Sequence, residues 1–204
     1  MPQNDAMQTH VIDLIRRRRS IRRFRPEPIP FQLLAQFVDA GRLAPTGSNV
    51  QPLEFVVVDD EELKEQVFDT LKWGRHVWPL RNPPEGKRPA AYIVVLVDKK
   101  KRPSGAERDA GAAIENIFLA ALEQGVASCW VRSIDRPKLG ELISLQKPME
   151  IDSILALGYP DEEPVVEEMK GEEYRYWLDD DDRLHVPKRP LSAVLYHNRL
   201  KPRT

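Results

Sequence analysis

Seven arginines fall within the ten residues Arg16-Arg17-Arg18-Arg19-Ser20-Ile21-Arg22-Arg23-Phe24-Arg25, in a chain that is otherwise slightly acidic. A guanidinium presents a planar fork of donors that matches carboxylate or phosphate oxygens two at a time, and it stays charged when partly buried. The chemistry this run suits is therefore the holding of an anion. Ser20 adds a neutral donor among the cations, and Phe24 adds an apolar anchor that a purely solvated run does not need. Three readings stand open on these residues: a solvated basic face, a nucleic-acid patch, and a cradle for one small phosphorylated ligand.

Other chemistry is sparse. Gly-x-Gly occurs nowhere, so a dinucleotide fingerprint and a Walker loop are both missing, and there is no Gly-x-Ser-x-Gly elbow. A phosphate must then be held by side chains. His10, His76, His185 and His197 are too scattered for a local metal motif, and no metal is expected. Cys129 sits in an apolar run and reads as a core residue rather than a nucleophile. With no constellation of acid, base and nucleophile, no catalytic side chain is assigned, and difficult chemistry would have to come from a cofactor.

The elements that must position the run follow from periodicity. Val11, Ile12, Leu14 and Ile15 predict a helix leading into the arginines, and Pro26, Pro28 and Pro30 forbid its continuation, so the run ends a helix and enters an extended turn. Leu33, Leu34, Phe37, Val38 and Leu43 predict a second helix that ends before Pro45. Residues 44–52 form a turn of small polar residues whose amides could reach a ligand. A strand over 53–58 and a helix capped by Asp60 follow, and residues 73–89 read as a long loop or lid. Residues 91–97 predict a strand buried on both faces, with Lys99–Arg102 as a solvated turn beyond it. The central helix is expected from Glu107 to Gln124, stopped by Gly125, and Gly111–Ala113 would admit another backbone closely, from this chain or a second one. Strands at 127–131 and 151–157 flank a short helix begun by Asp135 and Pro137. The acidic tract 161–182, eleven acids against Lys170 and Arg175, is expected to be solvated or partly disordered, with Leu191, Val194 and Leu195 packed beyond it.

A chain of 204 residues suits one domain, 1–204, with the acidic tract as an excursion and a C-terminal segment packing back on the core or on a partner. Its 31 basic residues against 32 acids exclude the global basic excess of a dedicated nucleic-acid binder. One cysteine excludes an intramolecular disulfide and fits a reducing cytoplasm, and the longest apolar runs are too short to span a bilayer. The class expected is α+β, with roughly four or five strands and flanking helices.

Several separated stretches, in order, resemble the flavin-dependent nitroreductase family. They are Arg18-Arg19-Ser20-Ile21-Arg22-Arg23-Phe24, Ala44-Pro45-Thr46-Gly47-Ser48-Asn49-Val50-Gln51-Pro52, Asp109-Ala110-Gly111-Ala112-Ala113-Ile114-Glu115-Asn116, Gly125-Val126-Ala127-Ser128-Cys129-Trp130-Val131, Leu155-Ala156-Leu157-Gly158-Tyr159-Pro160 and Pro187-Lys188-Arg189-Pro190-Leu191. The resemblance implies a nitroreductase-like mixed sheet flanked by helices, FMN as cofactor, and a homodimer with flavin at the subunit interface. By the same resemblance, Arg18, Ser20, Lys188 and Arg189 look like phosphate ligands, with Arg19 contributing, and Arg22 looks like the cation at the flavin pyrimidine. Pro45, Thr46, Gly47 and Asn49 resemble the loop that reaches the flavin from the partner, with Gln51 nearby, and Trp130 and Val131 resemble the segment behind the ring. The activity implied is NADH- or NADPH-driven, ping-pong, two-electron reduction of nitroaromatics, quinones or other electron-poor acceptors. A flavin binder without turnover, or a dehalogenase or dehydrogenase of the superfamily, is the alternative. The chain departs from many members at Leu53 and at Arg132-Ser133, positions that bear on the substrate pocket, which Trp73, Trp78 and Trp177 could line.

Overall fold

The computed structural model describes residues 11–74 and 82–200. Its centre is an antiparallel sheet of β1 (Leu53–Val58), β2 (Ala91–Asp98), β3 (Ala127–Val131) and β4 (Met149–Gly158), in the order β1-β2-β4-β3. The inner strand β2 is an apolar run because both its faces are covered. Ile93 and Val95 meet one core, while Tyr92, Val94 and Leu96 meet the other. A bulge at Val95/Leu96, opposite Ser153 and Ile151, shifts the register with β4.

Helices α2 (Phe31–Arg42) and α4 (Glu107–Glu123) cover the first face, and α3 (Glu61–Phe68) and α5 (Arg136–Leu142) cover the second. Helix α4 folds because Ala110, Ala113, Ile114, Ile117, Phe118 and Ala121 recur at helical spacing and are all buried. It stops where Gly125 takes φ 74°, with Gly125 N–H on Leu122 O at 3.0 Å and Val126 N–H on Ala121 O at 2.9 Å. Both bonds need the left-handed residue that glycine supplies. Asp60 and Asp135 cap α3 and α5 through the amides of Leu63 and Lys138.

Several expectations meet the structure differently. The acidic tract is not a bare solvated excursion: it carries β5 (Val165–Glu168) and β6 (Trp177–Leu178), which join β7 (Leu184–Lys188) in a second sheet ordered β5-β7-β6. Parallel pairing enters there, between β5 and β7, and not in the main sheet. Within one chain Leu191, Val194 and Leu195 are exposed and do not pack on the core. The proposed lid lies partly at 75–81, outside the described residues, and its first residue, Trp73, is buried and stacked on Phe68. Among the described residues no helix is long and apolar enough to cross a membrane.

Candidate functional site

The arginine run leaves α1 (Val11–Arg17) and lies against the outer edge of β3. Ser20 bridges Ser128 in parallel, and Ile21 N–H donates to Ser128 O at 3.0 Å. Phe24 N–H reaches Lys87 O at 3.0 Å and Arg25 N–H reaches Tyr159 O at 2.8 Å. Phe24 is fully buried against Ile21 and Ala127, an anchor contributing about 1.5–3 kcal/mol. A Cβ on Gly158 would stand 2.7 Å from the Phe24 ring, so the end of β4 must be glycine for the run to dock.

The guanidinium groups are held in different ways. Arg18 Nε pairs with Glu115 at 3.0 Å, and Arg18 lies over the Phe118 ring. Arg19 donates to the carbonyls of Arg16 and Arg18, while its buried Nε has no partner among the described residues. Burial, and then the neighbouring Arg18 charge, lower the Arg19 pKa from its ordinary value. Arg23 pairs with Asp182. Arg22 has no carboxylate on its guanidinium among the described residues and sits 5.3 Å from the Tyr176 ring centroid, while Glu162 accepts the backbone amides of Arg22 and Arg23 at 2.5 and 3.3 Å.

Two of the hollows that adjoin the run bear on the site. The larger, about 690 Å³, is lined by Arg16–Arg19, Ile21 and Ser128 on one side and by Asp161, Glu162 and Glu163 on the other. The second, about 340 Å³, brings together Arg22, Trp130, Val131, Trp73, Lys72, Arg132 and Tyr176. Trp73 Nε1 is buried without a partner among the described residues. Burial pushes the Cys129 thiol up, so this lining residue is an uncharged core group. Unspent N–H donors, aromatic faces and cations suit a flat ring with an acceptor-rich edge, next to an anionic group.

The turn at 45–51 is held apart from these hollows. Gly47 N–H donates to Asp109 Oδ1 at 3.0 Å, Arg102 Nε pairs with Asp109 Oδ2 at 3.0 Å, and Arg102 Nη2 returns to Gly47 O at 3.2 Å. Asp109 is buried at the start of α4, so Arg102 is a pinned partner and not part of a freely solvated turn. Thr46 Oγ1 accepts Gln51 N–H, and Ser48, Asn49 and Gln51 take φ of 55°, 54° and 51°. Such left-handed backbone persists where surrounding contacts over-determine it. Pro45, Gly47, Asn49 and Gln51 are exposed on this fixed turn, and Thr46 is half-buried.

Lys188 ends β7 opposite Glu168, and Arg189 donates to Ala193 O at 2.6 Å. Neither they nor residues 45–51 line the two hollows. Trp130 is exposed along one edge, and its indole passes Gly111 at a distance where an added Cβ would make ordinary contact, 3.9 Å from Cη2. Trp177 stacks on His185 in the small sheet and donates to Glu167 at 2.9 Å, away from the second hollow; Trp78 lies outside the described residues. The residues that sequence reasoning missed are Tyr176, Glu162, Asp109 and Arg102. Asp109 opens a quoted motif, but its partner Gly47 is 62 residues away, and no local pattern announces the pair.

Comparison with known proteins agrees with this architecture. Residues 15–159 match the Nitroreductase family. A protein of Archaeoglobus fulgidus, named as a candidate NADH dehydrogenase/NAD(P)H nitroreductase, is 31% identical over 187 residues, covering 87% of this chain and 97% of its own. A Thermotoga neapolitana protein named iodotyrosine deiodinase is 26% identical over 165 residues, covering 74% and 88%. The crystal structure of a candidate nitroreductase in complex with FMN from Desulfovibrio desulfuricans superposes with a TM-score of 0.69 at 22% identity, covering 96% of this chain and 100% of that one.

Proposed function

The chain belongs to the nitroreductase family, and from that premise we propose that it is an FMN-dependent oxidoreductase, driven by NADH or NADPH, that reduces nitroaromatics, quinones or related electron-poor acceptors by two electrons. The observation that carries this reading is the second hollow, where Arg22, with no carboxylate on its guanidinium among the described residues, meets Trp130 and Val131 beside the arginine run.

The residues present fit FMN. The orphaned N–H groups of Arg19 and Trp73 are donors waiting for an acceptor, and the cations of the run match a phosphate. In this reading Arg18, Arg19 and Ser20 hold the phosphate, joined by Lys188 and Arg189, and Arg22 meets the pyrimidine edge. Trp130 and Val131 back the ring. Pro45, Thr46, Gly47, Asn49 and Gln51 reach the site from a second copy of the chain, which accounts for a turn that is rigid, exposed and absent from its own chain's hollows.

Bound FMN supplies hydride acceptance and donation. The chain supplies position and charge. Arg22 places a cation where negative charge develops, and a charge already in position stabilises it without reorganisation at the moment of reaction. Trp73 and Tyr176 add aromatic surface to the hollow beside which a flat donor or acceptor can lie, one after the other. The Asp109–Arg102 pair fixes the turn at 45–51.

Anaerobic stopped-flow of the flavin spectrum, first with NADH or NADPH and then with a panel of acceptors, tests the proposal. Bleaching by a nicotinamide and recovery with a nitroaromatic or quinone are expected. Failure of both nicotinamides to reduce the flavin overturns it. The Thermotoga relative favours one second reading, reductive dehalogenation, so an iodotyrosine belongs in the panel with iodide release as its readout.

A further inference from the structure

The family match ends at residue 159, so membership alone gives the acidic segment beyond it no role. That segment is fastened to the arginine run near both of its ends. Near its start Glu162 accepts the amides of Arg22 and Arg23, and near its end Asp182 pairs with Arg23. Between these anchors the chain brings Tyr176 over Arg22, with both residues lining the same hollow.

The way Arg22 is held sets it apart. Arg18 spends its Nε on Glu115, Arg19 spends two nitrogens on backbone carbonyls, and Arg23 spends one on Asp182. A carboxylate on Arg22 would neutralise its charge and use the in-plane N–H donors that a ligand needs. An aromatic face attracts the cation through its quadrupole without neutralising it or accepting in place of a ligand, so position is gained while the charge is kept.

We propose that Tyr176 is a positioning residue for the cofactor site, holding the Arg22 guanidinium over its ring face so that N–H donors and full charge stay available to the flavin pyrimidine. This rests on the FMN reading above. The acidic segment is then the arm that delivers Tyr176, and its two anchors on the run set where the ring lands.

The test compares Tyr176→Leu with Tyr176→Phe. Tyr176 is half-exposed, so neither change empties a core. Apoprotein titrated with FMN should bind about three- to tenfold more weakly in the Leu variant. The midpoint potential should also fall, because the reduced form loses more than the oxidised one; a fivefold difference corresponds to about 20 mV for a two-electron couple. The Phe variant keeps the ring face and should stay within about twofold of wild type on both. Wild-type potential in the Leu variant overturns the proposal, as does a Phe variant as impaired as Leu. If wild-type apoprotein takes up no FMN, the function proposed above fails, and a cofactor-free arm decides this one. In ¹⁵N-labelled apoprotein, with the resonance assigned by Arg22→Lys, the Arg22 Nε–H signal should carry a ring-current shift in wild type and Tyr176→Phe that Tyr176→Leu loses. Identical Arg22 signals in all three overturn the positioning role.

Discussion

Arg18 and Arg22 are four residues apart, yet their surroundings assign them different work. Arg18 is pinned by Glu115 and the Phe118 face beside the larger hollow, whereas Arg22, in the smaller one, has no carboxylate on its guanidinium among the described residues. Arg18→Ala should therefore lower FMN occupancy, at about 1.5–3 kcal/mol or roughly ten- to a hundredfold in affinity for a charge-assisted bond. Arg22→Ala should lower the rate of flavin reduction more than occupancy, by about a hundredfold for a group that stabilises developing charge. Titration of apoprotein and stopped-flow reduction separate the two, and equal effects on both measurements would sink the division. The run itself was legible by residue type, which left a solvated face, a nucleic-acid patch and an anion cradle open. The residues that hold the run were not. Glu162 acts on Arg22 across 140 positions, and a contact of that span leaves no local periodicity to read.

Among the elements, the main sheet and its helices were legible because each carries its own signal. The β-branched run of β1, the unbroken apolar run of β2, the capping Asp60 and the stop at Gly125 all act over a few residues. The small sheet was illegible for the opposite reason. Strands β5 and β6 are four and two residues long, rich in exposed or half-exposed side chains, and β5 pairs in parallel with a strand nearly twenty positions later. What holds them is a side-chain cluster. Trp177 stacks on His185, whose Nε2 lies 3.0 Å from Asp179 and whose Nδ1 faces Glu167 at 3.5 Å. The His185 hydrogen bond, and then the Arg183 amide, hold the Asp179 carboxyl below its usual range. A carboxyl depressed in the folded state contributes stability that is present above its unfolded value, about 3.9, and is lost as pH falls through the lower folded value. The near-UV signal of Trp177 should thus persist at pH 4 and fade below it, while Asp179→Asn should weaken it already at neutral pH. Loss of that signal well above pH 4 in the wild type would contradict the linkage.

At the scale of the whole molecule, one chain leaves much apolar surface uncovered. Val11, Ile12 and Ile15 are exposed on α1, Phe31 on α2, and Leu191, Val194, Leu195 and Leu200 along the C-terminal segment. Scattered apolar residues are ordinary, but contiguous ones mark surfaces that associate. A homodimer in which the turn at 45–51 serves the second copy's hollow should show twice the chain mass of 23.5 kDa by light scattering, with or without FMN. An active monomer would return the turn to its own chain and leave it without a ligand to touch.

The docking of the arginine run on β3 has a further consequence. β3 is the last strand of its sheet, and an uncovered last strand offers a row of amides and carbonyls to any passing chain. Ile21 takes the Ser128 carbonyl, and the cations on either side make that border repulsive to another strand. The segment proposed to grip the flavin phosphate would therefore also guard that edge, so conditions that loosen the run should show as association of copies through β3.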